Sequence, residues 1–182
     1  VGDITAVDVN DGSLIWQVPT QSSQIINETY GFKFSKIVAD NNSIFFSNNK
    51  NEFYSLDLNM GVINWITKIR SYLTPIIIED LIITISEDGF FYVIDKNQGN
   101  IIRIIDIYKN YKPKKRKLIR PVGFTLTKKN VYLSNNNGQL SVIELNSGNI
   151  IKIEKISGDK ISKPFIFNNN LFVIKKGSII KY

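Results

Sequence analysis

Apolar residues in this chain fall at a spacing of two rather than 3.6, in runs of five to eight that end at clusters of Asn, Asp, Gly or Ser. A period of two is that of a strand with one face turned to a core, and Ile, Val, Phe and Tyr fill the runs as a pleated surface prefers. In order, the pattern predicts strands over 3–9 and 14–18, then 35–39, 43–47, 52–58 and 62–69. It continues with 74–78, 81–86, 90–95 and 101–108, then 122–127, 130–135, 139–145 and 150–156, and last 162–167, 171–175 and 178–182. Turn signals recur too often to leave room for a helix of about ten residues. Two polar stretches fall outside the alternation and are expected as exposed loops: 19–34, rich in Gln, Ser and Asn, and the strongly basic 109–120.

The strands are organised by a repeat. The stretch from Ala6 to Trp16 returns at 55–65, 93–103 and 142–152. An acid recurs at Asp8, Asp57, Asp95 and Glu144, and a glycine at Gly12, Gly61, Gly99 and Gly148, while Trp16 and Trp65 share a position that the last two copies lose. Each copy reads as strand, tight turn, strand. The carboxylate is placed to accept backbone N–H groups, the glycine to supply positive φ, and the indole to wedge one sheet against the next. Recurrence at a fixed phase makes these residues structural rather than a catalytic set. The glycines are 49, 38 and 49 positions apart, so the module is about 38 residues with extra length in alternate connectors. Repeated four-stranded antiparallel units that must bury both faces pack radially, which predicts an all-β fold, a β-propeller of four-stranded blades. A linear stack of sheets is the alternative. About four blade equivalents are expected: strands of one blade in 1–18, blades over 35–69, 72–108 and 121–156, and a partial blade over 161–182. This is one propeller domain or a fragment of one, half of an eight-bladed ring or a small ring.

Composition narrows the chemistry. The 182 residues are 43% hydrophobic, enough for a substantial core. There is no cysteine and no histidine, which removes thiol chemistry, the commonest general base and the commonest transition-metal ligands. A net charge of +7 favours anionic partners. No stretch approaches the ~18 apolar residues of a membrane-spanning helix. The chain starts at Val1 and enters a repeat at once, so it reads as an internal or processed fragment.

The pattern at Ala6, Asp8, Asp11, Gly12 and Trp16, met again in part at Asp57, Gly61 and Trp65, resembles the pyrroloquinoline-quinone-type propeller repeat over essentially the whole chain. That family includes quinone-dependent dehydrogenases, sensor domains of bacterial kinases, and the BamB lipoproteins of the outer-membrane β-barrel assembly machinery. The short modules without enzyme-sized insertions are most similar to the BamB group. The resemblance implies a non-catalytic scaffold without cofactor, periplasmic or attached to the outer membrane. Its implied partner is the periplasmic portion of a barrel-assembly protein, and self-association or a missing half would complete the ring. A fragment of a quinone-dependent dehydrogenase, or a ligand-sensing propeller, is the alternative.

In a propeller, the loops joining strands two and three share a face with the connectors between blades. That places the basic run on a decorated face, with Lys112, Lys114, Lys115, Arg116, Lys117 and Arg120 as candidate contacts for an acidic protein or an anionic headgroup. The turns at 48–50, 87–89 and 135–138 and the connector 19–34 are expected on the same face. Nucleic acid is the weaker partner class, since Tyr111 is the one aromatic among the lysines.

Overall fold

Short strands joined by tight turns build every sheet in the computed structural model, which describes residues 3–20, 34–48 and 51–182. β1 (Asp3–Val7) and β2 (Leu14–Pro19) form a two-stranded sheet. β3 (Val38–Ala39), β4 (Ser43–Ser47), β5 (Glu52–Asp57) and β6 (Ile63–Lys68) form a four-stranded one, as do β7 (Ile76–Ile78), β8 (Leu81–Ile85), β9 (Phe90–Asp95) and β10 (Ile101–Asp106). A helical turn α1 (Pro113–Arg116) precedes the third four-stranded sheet, β11 (Pro121–Leu126), β12 (Asn130–Asn135), β13 (Gln139–Glu144) and β14 (Ile150–Lys155). β15 (Phe165–Phe167), β16 (Asn170–Lys175) and β17 (Ser178–Lys181) end the order as a three-stranded sheet. Within each sheet the strands are adjacent in the order of the sequence, so each sheet is an antiparallel meander.

The chain forms two compact units, Val1–Ile83 with Ile94–Ile101, and Thr84–Val93 with Ile102–Tyr182. It passes between them within β8, β9 and β10. In the first unit, Ile44, Phe46, Tyr54 and Leu56 make a core cluster against which Ile4, Trp16 and Leu58 pack. In the second, Leu140, Ile161, Leu171 and Val173 are packed by Tyr132, Ile156 and Ile180. Second and third strands such as β4 and β5 are buried on both faces, which is why their sequences are nearly continuous apolar runs, whereas fourth strands such as β6 are mostly exposed.

The hairpins share an irregularity. Pairing slips by one residue between Ala6 and Val7, between Ser55 and Leu56, and between Val142 and Ile143, each two or one positions before the recurring acid. One extra residue in the fourth strand is left unpaired there, and such a bulge turns the side chain that follows. In β2 and β6 that side chain is Trp16 and Trp65.

Two expectations need correction. The basic run is not a plain loop: Arg116 and Lys117 donate their N–H groups to the carbonyls of Lys112 and Pro113, closing one turn of helix. Pro113 holds the φ that the first helical position needs and lacks an N–H that would go unused there, and the following basic residues suit a helix C-terminus. The first strands β3, β7 and β15 are also shorter than expected, while β11 keeps its expected length. Ser35 and Ser162 stay bound to strand two, but each uses its hydroxyl to receive an N–H, from Ser47 and Ile174 respectively, which interrupts the ladder. The expected loop over 19–34 lies outside the described residues from 21 to 33, as do Asn49 and Lys50 of the turn at 48–50.

Candidate partner-binding face

The repeated acid and glycine are engaged in their own hairpins, and the tryptophan in the next one. Asp8 Oδ1 accepts the N–H of Asn10 at 2.7 Å, Asp57 Oδ1 those of Asn59 and Met60 at 2.9 and 2.7 Å, and Asp95 Oδ1 those of Asn97 and Gln98 at 2.8 and 2.7 Å. Gly12, Gly61, Gly99 and Gly148 all have φ near +70°, between 69° and 74°. Glu144 departs from the set: with one more methylene, its carboxylate receives the Ser147 hydroxyl at 2.5 Å in place of backbone N–H groups.

Each tryptophan docks on the hairpin one module further on. Trp16 lies on Gly61 and donates its indole N–H to the Leu58 carbonyl at 3.1 Å, and Trp65 lies on Gly99 and donates to the Lys96 carbonyl at 3.0 Å. In the second unit Arg103 stands where the tryptophan would be. It donates to the carbonyl of Leu145, the equivalent acceptor, at 3.2 Å and also to that of Asn146, while Ile105 covers Gly148. Arg103 was not legible as a tryptophan substitute, although its spacing of four from Gly99 was the available signal.

Among the described residues, no three carboxylates converge in a way that could hold a metal ion. In the first unit an open cleft of about 490 Å³ is lined by Asp40, Ser43, Ser55, Asp57 and Asn64 among others. Burial pushes the Asp40 carboxyl up, but the N–H groups of Asn42 and Ser43 and the Lys96 ammonium outweigh it, leaving the group below the usual carboxylate range. Its oxygens are therefore occupied by the cleft's own walls, with Lys96 at 3.1 Å.

The basic insert belongs to the second unit and is rooted by Tyr108. That ring is 1% exposed, presses on Gly89, and donates its hydroxyl to Asn135 Oδ1. Burial drives the phenol far above its ordinary value, so it stays a donor. Tyr111 packs edge-on against it at 5.8 Å and donates to Gln139 Oε1 at 3.1 Å. Lys115 Nζ sits 5.1 Å from the Tyr111 ring centroid, so this aromatic is engaged with its own chain.

The six candidate cations divide into anchors and outward groups. Arg116 bonds Asp106 at 2.6 Å and lies 5.4 Å over the Phe90 ring, and Arg120 approaches Glu87 at 3.7 Å. Arg120 also exchanges bonds with Asn136, whose side-chain amide donates to the Leu118 carbonyl at 2.9 Å. These ties bring the insert together with the turns at 87–89 and 135–138. Lys112, Lys114, Lys115 and Lys117 are exposed, and Leu118 beside them is 74% exposed. A groove of about 380 Å³ opens among Asp88, Phe90, Pro113, Arg116, Lys117 and Arg120.

Charge is divided unevenly. The segments of the first unit hold six Lys and Arg against ten Asp and Glu, a net −4, and those of the second hold seventeen against six, a net +11. The basic character of the chain therefore belongs to the unit that carries the insert.

Comparison with known proteins places the repeat. The family described as outer membrane protein assembly factor BamB, PQQ_2, matches residues 1–105. BamB from Moraxella catarrhalis superposes with a TM-score of 0.57 at 14% identity, covering 99% of this chain and 66% of that one. The computationally designed Ika4 protein gives 0.65 at 10% identity over 85% and 93%. The Cps50 (Swd1) β-propeller domain of Myceliophteria thermophila gives 0.70 at 11% identity over 94% and 55%. The chain thus spans just under two thirds of the BamB structure. A search of curated proteins gave no match. At these identities the structural likeness establishes the fold, and the four-stranded sheets are blades of the β-propeller kind. With its hairpin motifs in place and the family matched over more than half of its length, the chain belongs to the PQQ_2 family of outer membrane protein assembly factor BamB.

Proposed function

We propose that this chain is a non-catalytic propeller scaffold that binds an acidic protein partner through the face carrying the basic insert. Its family suggests protein–protein interaction in general and a periplasmic or outer-membrane-associated location. The finer reading is a role in outer-membrane protein assembly, with the periplasmic domains of the barrel-assembly protein as partner. The observation that carries the docking site is the division of labour within the insert. Arg116 and Arg120 are spent holding it in place, which leaves Lys112, Lys114 and Lys117 and the apolar Leu118 exposed to solvent, with Lys117 lining a groove. Cations around an exposed apolar side chain suit an interface whose rim steers an acidic partner and whose centre buries a hydrophobe.

The test is titration of the purified periplasmic domains of the barrel-assembly protein against this chain and a K112S/K114S/K117S variant, which leaves the anchoring arginines intact. Loss of three rim charges should weaken binding about tenfold, at ~0.5 kcal/mol per charge, and flatten its salt dependence. Equal affinity and equal salt dependence in both proteins would remove the insert as the docking site.

A further inference from the structure

We infer that the docking face takes an extended acidic polypeptide segment, which runs from the basic insert across the 135–138 turn to a second group of lysines at 155–163 and 175–177. The inference rests on the docking site proposed above and names the form of its partner.

The three cationic segments are bonded in series within the second unit. Asn136 ties the insert to the turn, accepting the Arg120 N–H at 2.8 Å and donating its own N–H to the Arg120 carbonyl at 2.9 Å. On the other side of the turn, the Gly138 carbonyl accepts the N–H groups of Ile156 and Ser157 at 3.0 and 3.2 Å, and Lys155 Nζ donates to the Asn137 carbonyl at 2.5 Å. The approach is close because position 138 lacks a side chain: a Cβ there would lie 2.3 Å from the Ser157 carbonyl oxygen and 2.4 Å from that of Asp159. Lys175 Nζ then reaches back to the Ile156 carbonyl at 3.0 Å, and Lys176 pairs with Asp159 at 3.0 Å.

Along this path, residues 109–120, 155–163 and 175–177 carry twelve Lys and Arg and a single acid, Asp159. Lys160 and Lys163 are exposed and make no ion pair among the described residues. Like charges held together by rigid loops repel one another, and a bound polyanion relieves that cost at every step of the path. A compact acidic patch would be satisfied at the insert. A row of cations on successive bonded loops matches a chain that meets them one after another, and the groove beside Phe90 and Pro113 gives its apolar side chains a place that a phosphate chain would leave empty.

The test uses labelled oligoglutamate of about six and about eighteen residues, spanning about 20 and 60 Å when extended. These are titrated at low salt against the chain, against K112S/K114S/K117S, and against K160Q/K163Q/K176Q. Glutamine keeps the aliphatic stems, including that of Lys163 over Gly123, and equal melting temperatures check the fold. The distal variant should lose about tenfold in affinity for the long peptide and leave the short one unchanged, at the strength expected of three exposed charges. An unchanged long-peptide affinity overturns the extended path while leaving the insert site standing. An insert variant that binds both peptides like the parent sinks the docking site itself. Phosphatidylglycerol vesicles or oligothymidylate bound tightly, with the long peptide ignored, would overturn the polypeptide as partner.

Discussion

The hairpin docks of the two units solve one packing problem with different residues. In the first unit an indole does two things at once: it covers the glycine of the next hairpin and donates to a carbonyl beside it, as at Trp65 on Gly99 with the Lys96 carbonyl at 3.0 Å. In the second unit those tasks are divided, with Arg103 supplying the donor and Ile105 the cover for Gly148. The glycine and the acceptor carbonyl are fixed by the hairpin, and the residue that meets them is free to vary if both demands are met. The exchange has consequences, because a rigid buried ring and a pair of flexible side chains respond differently to change.

The largest effect should follow from removing the ring. Trp65 is 9% exposed and also packs on Phe53 and Phe45, at centroid separations of 6.0 and 6.1 Å. Truncation to alanine should cost about 3–5 kcal/mol, as large buried aromatics do. R103A removes a charged donor from two carbonyls but opens no large cavity, and should cost about 1–2 kcal/mol. Denaturant titration of both variants measures the contrast. Equal losses would mean that the donor, rather than the buried ring, carries the dock.

The next contrast lies at the glycines. An alanine at position 99 or 148 pays for left-handed backbone, about 1–2 kcal/mol, since φ is +74° and +72°. At Gly99 the new Cβ would meet the Trp65 ring at 2.5 Å, where nothing can turn aside. At Gly148 it would meet the Cδ1 of Ile105 at 2.0 Å, the end of a side chain with another rotamer available. G99A should therefore exceed G148A by about 1–3 kcal/mol, the usual cost of overpacking, in thermal or denaturant melts. A G148A variant as damaging as G99A would show that Ile105 is as tightly held as the indole.

Most of this architecture was legible because it depends on backbone. Gly12, Gly61, Gly99 and Gly148 mark turns that only positive φ completes, and their spacing set the module length before any contact was known. The division of the second dock was not legible. An arginine on an exposed fourth strand reads as a solvated charge, and its acceptors lie 42 and 43 residues further on. The basic insert was legible as a charged segment and not as a structure. Pro113 signals a helix start, but one turn buries nothing and leaves no apolar period, and the sorting of anchors from outward lysines depends on Asp106, Glu87 and Phe90 in other segments.

The smallest test separates the acids. Asp95 accepts two exposed backbone N–H groups that would otherwise be left to water, at 2.8 and 2.7 Å. Glu144 reaches past those groups to the Ser147 hydroxyl, and that hydroxyl in turn accepts the Asn149 N–H at 3.1 Å. The serine has therefore taken over part of the aspartate's role in ordering the turn, and the glutamate acts on the backbone only through it. D95A should lose about 1 kcal/mol, comparable to a lost helix cap, and E144A about half that or less. S147A should match or exceed E144A, because it removes the bond that reaches the backbone. The order D95A, then S147A, then E144A in melting temperature supports the relay. An E144A loss as large as that of D95A would show that the longer carboxylate holds its turn directly.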